Sequence, residues 1–236
     1  MTSLSELRFF ATPPHDCSYL EGREATTLVV DPLAKVDTKL YTALSEMGFR
    51  RSGNHIYRPY CQACSACIPV RIPVERFEIR RRQRRIWKKN GDLVVSTMLP
   101  AMTDEYFHLY RDYIDHRHPD GDMYPADADQ FESFLVDGRP EARFYEFRDQ
   151  EKLLAIAVAD ELDNGLSAIY TFFDPTVTER SLGVYAILWL IEETGRLGKQ
   201  YLYLGYWIKD CQKMSYKTDY KPIELFVNNH WVTVIQ

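Results

Sequence analysis

Hydrophobic and polar residues alternate along much of the chain with a period of two, which is typical of β-strands. Val70, Ile72 and Val74 show the alternation clearly within residues 68–74. Asp163-Asn164-Gly165 predicts a hairpin turn between two such segments, because Asn-Gly tolerates positive φ. The predicted strands span residues 26–30, 54–58, 68–74, 93–98, 142–148, 153–160, 166–173, 201–206, 224–227 and 231–235.

A period of 3.6 residues predicts four helices. Val184, Ile187, Leu188 and Ile191 are spaced i, i+3, i+4 and i+7, so the helix within 178–198 has one apolar face directed at a core. The other predicted helices span residues 38–47, 103–116 and 127–136. The first of them stops at Gly48, a typical residue after a helix C-terminus.

The order of these elements predicts the fold class. The strand–helix–strand unit over 166–206, added to several other strands, predicts an α/β (α+β) protein with a mixed sheet and a crossover helix. The turn at Asn90-Gly91 suggests a boundary. We expect a smaller N-terminal portion over 1–92, which contains most of the cysteines, and a larger C-terminal domain over 93–236.

Charge is concentrated in one short segment. The chain has 236 residues and a net charge of −5. Residues 80–89 read RRRQRRIWKK, and seven of them are basic; subtracting seven from −5 leaves −12 on the other 226 residues. Such a cluster favours nucleic-acid binding, because it neutralises phosphates and releases counterions. The alternative is a solvated charged face.

Composition indicates a globular protein, with 45% hydrophobic and 27% charged residues. No apolar run approaches the roughly 18 residues of a membrane span. Residues 1–10 lack the basic and apolar regions of a signal peptide. We therefore expect a cytoplasmic protein with no membrane partner.

Four cysteines form a candidate metal site. Cys61, Cys64 and Cys67 follow a Cys-x-x-Cys-x-x-Cys pattern, a spacing that can chelate zinc or an iron–sulfur cluster. Cys17 is the best candidate for a fourth ligand. The alternative is that these are small, partly buried side chains without a metal.

The helix within 178–198 is preceded by Arg180-x-x-Gly183-x-Tyr185. This resembles the turn of the acetyltransferase (GNAT) fold, in which backbone N–H groups at a helix N-terminus bind the pyrophosphate of coenzyme A. Tyr185 stands where that motif has Gly or Ala. We therefore expect a GNAT-like sheet that does not use coenzyme A, with Arg180 and Gly183 as substrate-binding residues.

Short motifs with a family resemblance occur along nearly the whole chain. They are Cys17–Leu20 (CSYL), Gly48–Gly53 (GFRRSG), the cysteine segment with IPVRIPV, the basic segment, Tyr113-Ile114, Arg117-His118, Phe173–Pro175 (FDP), Arg180–Gly183 (RSLG) and Tyr201–Lys217 (YLYLGYWIKDCQKMSYK). With these motifs in this order, the chain resembles the arginyl-tRNA–protein transferase family, and within it the bacterial aspartate/glutamate leucyltransferase branch.

The resemblance implies an aminoacyltransferase that moves an aminoacyl group from tRNA to the N-terminal amine of a protein beginning with Asp or Glu. The branch implies leucyl-tRNA as the donor, with arginyl-tRNA as the alternative. The product would be marked for the N-end rule degradation machinery. Cys17 and Cys67 match cysteines at which eukaryotic members are associated with an iron–sulfur cluster.

The implied reaction is aminolysis of an activated ester, which requires positioning, proton transfer and oxyanion stabilisation but no cofactor. Arg76, Arg80 and Lys213 are candidate cations for the carboxylate of the acceptor. Asp174 is a candidate partner for its amine or for the terminal adenosine of the tRNA, unless Asp174-Pro175 only starts a turn. Contacts with acceptor-stem phosphates are predicted for Arg80, Arg81, Arg84, Arg85, Lys88 and Lys89.

Tyrosines near the predicted strand at 201–206 are the remaining catalytic candidates. Tyr203, Tyr206 and Tyr216 could stack on the terminal adenosine or donate a proton to the leaving 3′-oxygen. Lys213, Tyr216 and Lys217 lie just beyond the strand, where sheet enzymes often place functional groups. The alternative for each tyrosine is a core aromatic residue. A non-catalytic tRNA-binding module and a small-molecule N-acetyltransferase are the alternatives for the whole chain.

Overall fold

A computed structural model describes residues 3–235. The helices are α1 Thr38–Glu46, α2 Arg81–Lys89, α3 Asp104–Arg117, α4 Ala128–Phe131 and α5 Leu182–Arg196. The strands are β1 Phe9–Ala11, β2 His15–Asp16, β3 Glu24–Ala25, β4 Thr27–Val30, β5 Arg50–Ser52, β6 His55–Pro59, β7 Ile68–Pro73, β8 Val94–Met98, β9 Ala142–Asp149, β10 Lys152–Glu161, β11 Gly165–Phe173, β12 Tyr201–Trp207, β13 Ile223–Val227 and β14 His230–Val234. Within these residues, no helix is both long and apolar enough to cross a membrane.

Eight strands form one mixed sheet in the order β14-β13-β7-β12-β11-β10-β9-β8. β11 and β12 run parallel and α5 connects them, whereas the other neighbouring pairs are antiparallel. The predicted mixed sheet with a crossover helix is therefore confirmed. The predicted helix at 127–136 is divided into α4 and a π-helical turn at Glu132–Val136.

The N-terminal portion forms a small sheet of its own and also contributes a strand to the large sheet. β1, β4, β6 and β5 form a separate four-stranded sheet, and β2 pairs with β3. β7 lies inside the large sheet between β13 and β12, and α2 packs on α5. Residue 92 therefore does not separate two independent sheets: residues before it complete the sheet that residues after it begin.

The large sheet is covered on both faces. Along β10, Ala155, Ala157 and Ala159 face the core beneath α2 and α5, while Ile156 and Val158 face the core beneath α3 and α4. A third core joins α1 and the small sheet to the start of β12, on the same face as α3. The small sheet and α3 thus flank the centre of the large sheet.

A buried ion pair attaches the small sheet to the large one. Arg51 Nε donates to Asp160 Oδ2 at 2.6 Å and Arg51 Nη2 donates to Oδ1 at 2.7 Å, and neither side chain is exposed. Tyr41 Oη donates to the same carboxylate at 2.7 Å. Removing one partner of such a pair typically costs about 3–5 kcal/mol, because the other charge stays buried. The two sheets are therefore joined by an ion pair that is costly to break.

Two asparagine-containing turns differ from each other. Asn228 and Asn229 have φ values of 51° and 61°, as a tight β-hairpin turn between β13 and β14 requires. The turn between β10 and β11 forms as predicted, but Asn164 does not use positive φ. Its carbonyl instead accepts from the backbone N–H groups of Gln200 and Tyr201, which fixes the start of β12 beside β11.

Candidate active site

The parallel strands β11 and β12 pair over only three residues. Gly165–Ser167 align with Tyr201–Tyr203, and beyond them the strands separate. Both strands carry a bulge at this point: Ile169 is the extra residue in β11, and Leu204 is the extra residue in β12. Bulges bend strands and often lie next to active sites. We call the gap beyond Ser167 and Tyr203 the fork.

Arg50 of β5 fills the inner end of the fork. Its Nη2 donates to the carbonyl of Ala168 at 2.5 Å and its Nη1 donates to Ser167 Oγ at 3.4 Å. Gly205 has φ +79°, and a Cβ there would lie 2.9 Å from Arg50 Cζ. Among residues 3–235, no carboxylate lies within 4 Å of this guanidinium. Arg50 therefore places an uncompensated positive charge in the fork.

Lys217 adds a second basic group, and its side chain is buried. Its side chain is in the helical segment Gln212–Asp219 after β12, and its Nζ donates to the carbonyl of Tyr206 at 2.6 Å. Burial, together with the charge of Arg50, lowers the pKa of Lys217 to about 7. A carboxylate bound here would favour the charged ammonium form.

Aromatic side chains line the opposite side of the fork. The ring of Tyr113, from α3, lies 4.8 Å from that of Phe173 and 6.3 Å from that of Tyr170. His118 Nε2 lies 3.2 Å from Tyr113 Oη. Burial, followed by the charge of Lys213, lowers the pKa of His118. The exposed Lys213 therefore lies at the rim of this side.

Among the predicted catalytic tyrosines, the structure brings only Tyr216 to the fork. Tyr216 is half-exposed, and it lies near both Tyr113 and Arg50. Tyr206 is buried and its Oη donates to the carbonyl of Gly48 at 2.9 Å. Tyr203 is also buried, and its Oη accepts from Arg71 Nη1 at 3.3 Å. The phenols of Tyr203 and Tyr206 are thus engaged in hydrogen bonds to neighbouring parts of the fold.

Asp174 follows β11 directly and is already ion-paired. Its Oδ2 accepts from Lys152 Nζ at 2.8 Å, and its Oδ1 accepts from the backbone N–H of Thr176. Although burial opposes ionisation, these hydrogen bonds hold the pKa of Asp174 below its usual value. The carboxylate borders an open cleft of about 430 Å³ lined by Glu105, Leu109, Asp112, His116, Lys152, Leu153, Asp174, Pro175 and Thr176. Asp174 is therefore an ionised, fixed carboxylate at the end of the strand.

The turn before α5 is closed by protein contacts. Arg180 is held by Asp92 at 2.9 Å and by Asp149 at 3.0 Å. A Cβ at Gly183 would lie 3.2 Å from the ring of Phe173, so this position needs glycine for packing. The ring of Tyr185 is buried 5.5 Å from that of Trp87. The ring that stands where the acetyltransferase motif has Gly or Ala thus packs into the core.

The predicted tRNA-binding segment forms the helix α2. Gln83 and Ile86 are buried, whereas the basic residues of the helix are exposed and form no ion pair within residues 3–235. Arg80 and Arg76 are exposed just before it. Gln83 Nε2 donates to the carbonyl of Asp219 at 3.2 Å, so α2 adjoins the segment that carries Tyr216 and Lys217. The exposed basic residues of the helix are Arg81, Arg82, Arg84, Arg85, Lys88 and Lys89.

The predicted metal ligands line one small cavity. Cys17, Cys61, Cys64 and Cys67 border a space of about 170 Å³ next to Tyr206. In the described part of the chain, however, no three His, Cys, Asp or Glu side chains are arranged to hold a metal ion. Burial and the neighbouring thiols raise the pKa of Cys67 to about 11 in the metal-free chain. These residues do not fit a preformed metal centre.

Arg50 was absent from the candidate residues that sequence reasoning produced for this site, and Lys217 was noted only for its position just beyond the strand at 201–206. Both belong to motifs that carried the family resemblance, GFRRSG and YLYLGYWIKDCQKMSYK. Sequence reasoning missed Arg50 because two arginines stand side by side in GFRRSG. The sequence does not show which of them, Arg50 or Arg51, is buried in an ion pair and which one reaches an open site. Tyr113 and His118 also belong to motifs of the family resemblance, Tyr113-Ile114 and Arg117-His118. The structure brings Tyr113 to the fork from α3 and His118 from the residue that follows this helix.

Family models match both portions of the chain. Residues 15–85 match the family model described as arginine-tRNA-protein transferase, N terminus, and residues 105–227 match the model of its C terminus. The chain belongs to the arginine-tRNA–protein transferase family. The N-terminal match covers the cysteine cavity, Arg50 and part of α2, and the C-terminal match covers both strands of the fork. The family thus spans both portions that build the site.

Similar members of the arginine-tRNA–protein transferase family are bacterial. A protein of Stutzerimonas stutzeri (strain A1501) named aspartate/glutamate leucyltransferase is 59% identical over 234 residues, which cover 99% of this chain and 100% of that protein. Proteins of the same name from Pseudomonas aeruginosa (strain LESB58) and Pseudomonas fluorescens (strain Pf0-1) are 60% and 58% identical over the same shares.

Two solved structures are also similar to this family member. L-PGS from Bacillus licheniformis superposes with a TM-score of 0.46 and 10% identity, covering 61% of this chain and 47% of that chain. The C-terminal domain of a putative lysylphosphatidylglycerol synthetase from Agrobacterium fabrum gives a TM-score of 0.44 and 12% identity, covering 72% and 52%.

Proposed function

We propose that this protein transfers leucine from leucyl-tRNA to the N-terminal amine of proteins that begin with Asp or Glu. The observation that carries the proposal is the fork: Arg50 and Lys217 lie opposite an aromatic side, and no carboxylate among residues 3–235 pairs with either of these basic groups. An acidic N-terminal residue supplies the missing negative charge. The name of the similar bacterial proteins, aspartate/glutamate leucyltransferase, supports the same acceptors and cargo.

The helix α2 would hold the donor. Its exposed arginines and lysines can neutralise the phosphates of an acceptor stem. Because Gln83 bonds to Asp219, the basic face adjoins the segment that borders the fork. A tRNA bound along α2 would thus direct its aminoacylated 3′ end towards Tyr216 and Lys217.

The fork would hold the acceptor beside that ester. The acidic side chain would bind Arg50 and Lys217, which brings the α-amine to the ester carbonyl. The amine nitrogen forms the new amide bond, the bond from the carbonyl carbon to the 3′-oxygen breaks, and one amine proton is lost while the 3′-oxygen gains one. Tyr216 would donate a proton to the leaving oxygen, and Lys213 would donate a hydrogen bond to the oxyanion. Asp174, already paired with Lys152, would position the end of β11.

The donor and the product indicate where the protein would act. Aminoacyl-tRNA is found in the cytoplasm, so we place the reaction there. A protein that gains an N-terminal leucine would then be recognised by the N-end rule degradation machinery. No step of the proposed reaction needs a cofactor or the cysteine cavity.

A transfer assay tests the proposal. Purified protein is incubated with labelled leucyl-tRNA and with peptides that differ only in an N-terminal Asp, Glu or Ala. We expect label on the Asp and Glu peptides and none on the Ala peptide. The absence of label from all three, while the tRNA stays charged, would show that the proposal is wrong.

A further inference from the structure

The C-terminal half of β11 is open although it lies near the middle of the large sheet. Ala168, Ile169, Tyr170 and Thr171 are partly exposed, whereas residues 156–160 of the neighbouring β10 are fully buried. The exposure begins where β12 leaves β11. A surface inside the fork is therefore accessible from outside.

This surface is apolar. Ile169 is the bulged residue of β11, and both Ile169 and Tyr170 pack against the core beneath α3. Tyr113 extends the surface, with its ring in edge contact with those of Tyr170 and Phe173. We call Tyr113, Ile169, Tyr170 and Phe173 the apolar wall.

Two cations lie near the apolar wall, and the carboxylate of Asp174, which follows Phe173, is paired with Lys152. Arg117 is close enough to Tyr113 for its charge to affect the pKa of the phenol. The charges of Lys213 and Arg117 both contribute to the lowered pKa of His118. Within residues 3–235, no carboxylate bonds to a side chain of the wall. A guanidinium inserted here would lose its water without gaining a carboxylate, and it would meet two cations. A branched aliphatic side chain meets neither penalty.

We propose that the apolar wall binds the side chain of the leucyl group and, with Arg117 and Lys213 at its rim, excludes an arginyl group. Ile169 and Tyr170 are then residues that determine specificity for the cargo. The inference rests on the proposed function, because it assigns a subsite for one of the two substrates of that reaction.

The test separates the cargo from the tRNA that carries it. One leucine tRNA is charged with leucine, arginine or phenylalanine by an acylating ribozyme, so that only the amino acid differs. The kcat/KM for transfer to an Asp peptide is measured for each. The wild-type protein is expected to prefer leucine over arginine by at least about 100-fold, since pocket contacts discriminate by this order.

Two variants then locate the preference. Ile169→Asp is expected to shift the leucine-to-arginine ratio towards arginine by at least about 10-fold, because it supplies a carboxylate. Ile169→Ala, which disturbs the fold less, is expected to raise transfer of phenylalanine relative to leucine by about 10-fold. Val136→Asp and Val136→Ala are the matched controls, since Val136 packs against the same core but is not part of the wall.

The outcomes distinguish the inference from the proposed function. Equal transfer of leucine and arginine by the wild-type protein overturns the inference and leaves the leucyl transfer intact. Cargo ratios that are the same in Ile169→Ala and Val136→Ala also overturn it. No leucyl transfer to the Asp peptide overturns both.

Discussion

Two consecutive arginines illustrate how single residues define the site. Arg50 and Arg51 are neighbours in β5, so their side chains point to opposite faces of the strand. Arg51 is buried against Asp160, which compensates its charge. Arg50 reaches the fork and bonds to neutral groups of β11. The positive charge of the site is thus a consequence of register, and the nearby Lys217 adds to it.

The lowered pKa of Lys217 predicts how acceptor binding changes with pH. Lys217 is an ammonium below pH 7 and becomes neutral above it, because its pKa is about 7. The KM for an Asp peptide is therefore expected to rise above pH 7, by up to about tenfold per pH unit. The rise should end where the pH passes the higher pKa that Lys217 has with the carboxylate bound. KM measured from pH 6 to 9 checks this dependence.

Two variants provide the comparison for the pH profile. Lys217→Met is expected to have a high KM at pH 6 that changes little with pH. Lys209→Met removes an exposed lysine nearby and should keep the wild-type profile. A rise in KM that persists in Lys217→Met would contradict the role of this ammonium.

Among the elements, α2 carries charges that its own geometry disfavours. Arg81, Arg82 and Arg84 lie in or near its first turn, where the helix dipole is positive. They also repel one another, and no acidic residue occurs in that turn. Bound phosphates would relieve both costs. The buried Gln83 and Ile86 fix which side of the helix faces outward.

The charge of α2 predicts a steep salt dependence of tRNA binding. Replacing Arg84, Arg85 and Lys88 together by serine is expected to weaken binding. It should also reduce the slope of log K against log salt by about 0.7–0.9 per lost phosphate contact. Binding titrations at several salt concentrations measure the slope. As a control, Lys35, Lys39 and Arg111 are replaced by serine, because these exposed basic residues lie outside α2. An equal slope in both triple variants would contradict tRNA binding by α2.

At the scale of the whole molecule, the two portions build one site between them. The large sheet supplies the fork, and the small sheet supplies Arg50. The negative charge of the body leaves α2 as the concentrated basic segment. Such an arrangement confines phosphate binding to one side and leaves the fork accessible to a protein N-terminus.

The sequence predicts the helices and strands of this molecule better than it predicts which of them lie next to one another. Periodicity locates α5, β10 and β11 closely, because it depends on residues near in sequence. It does not place β7 between β13 and β12, since strand order depends on long-range packing. For the same reason, alternation cannot show that Tyr206 bonds to Gly48. The roles of the site residues stay predictions, and the structure changes which of them reach the fork.

Single-turnover transfer of leucine to an Asp peptide by Arg50→Met tests most directly whether the fork is the site of reaction. Its kcat/KM is expected to fall by about 10- to 100-fold, the cost of losing a hydrogen bond to a charged group. Arg58→Met is the control, because Arg58 lies in the same small sheet and bonds to the carbonyl of Met47. Melting temperatures show that both variants are folded. A kcat/KM for Arg50→Met equal to that of Arg58→Met would contradict the account.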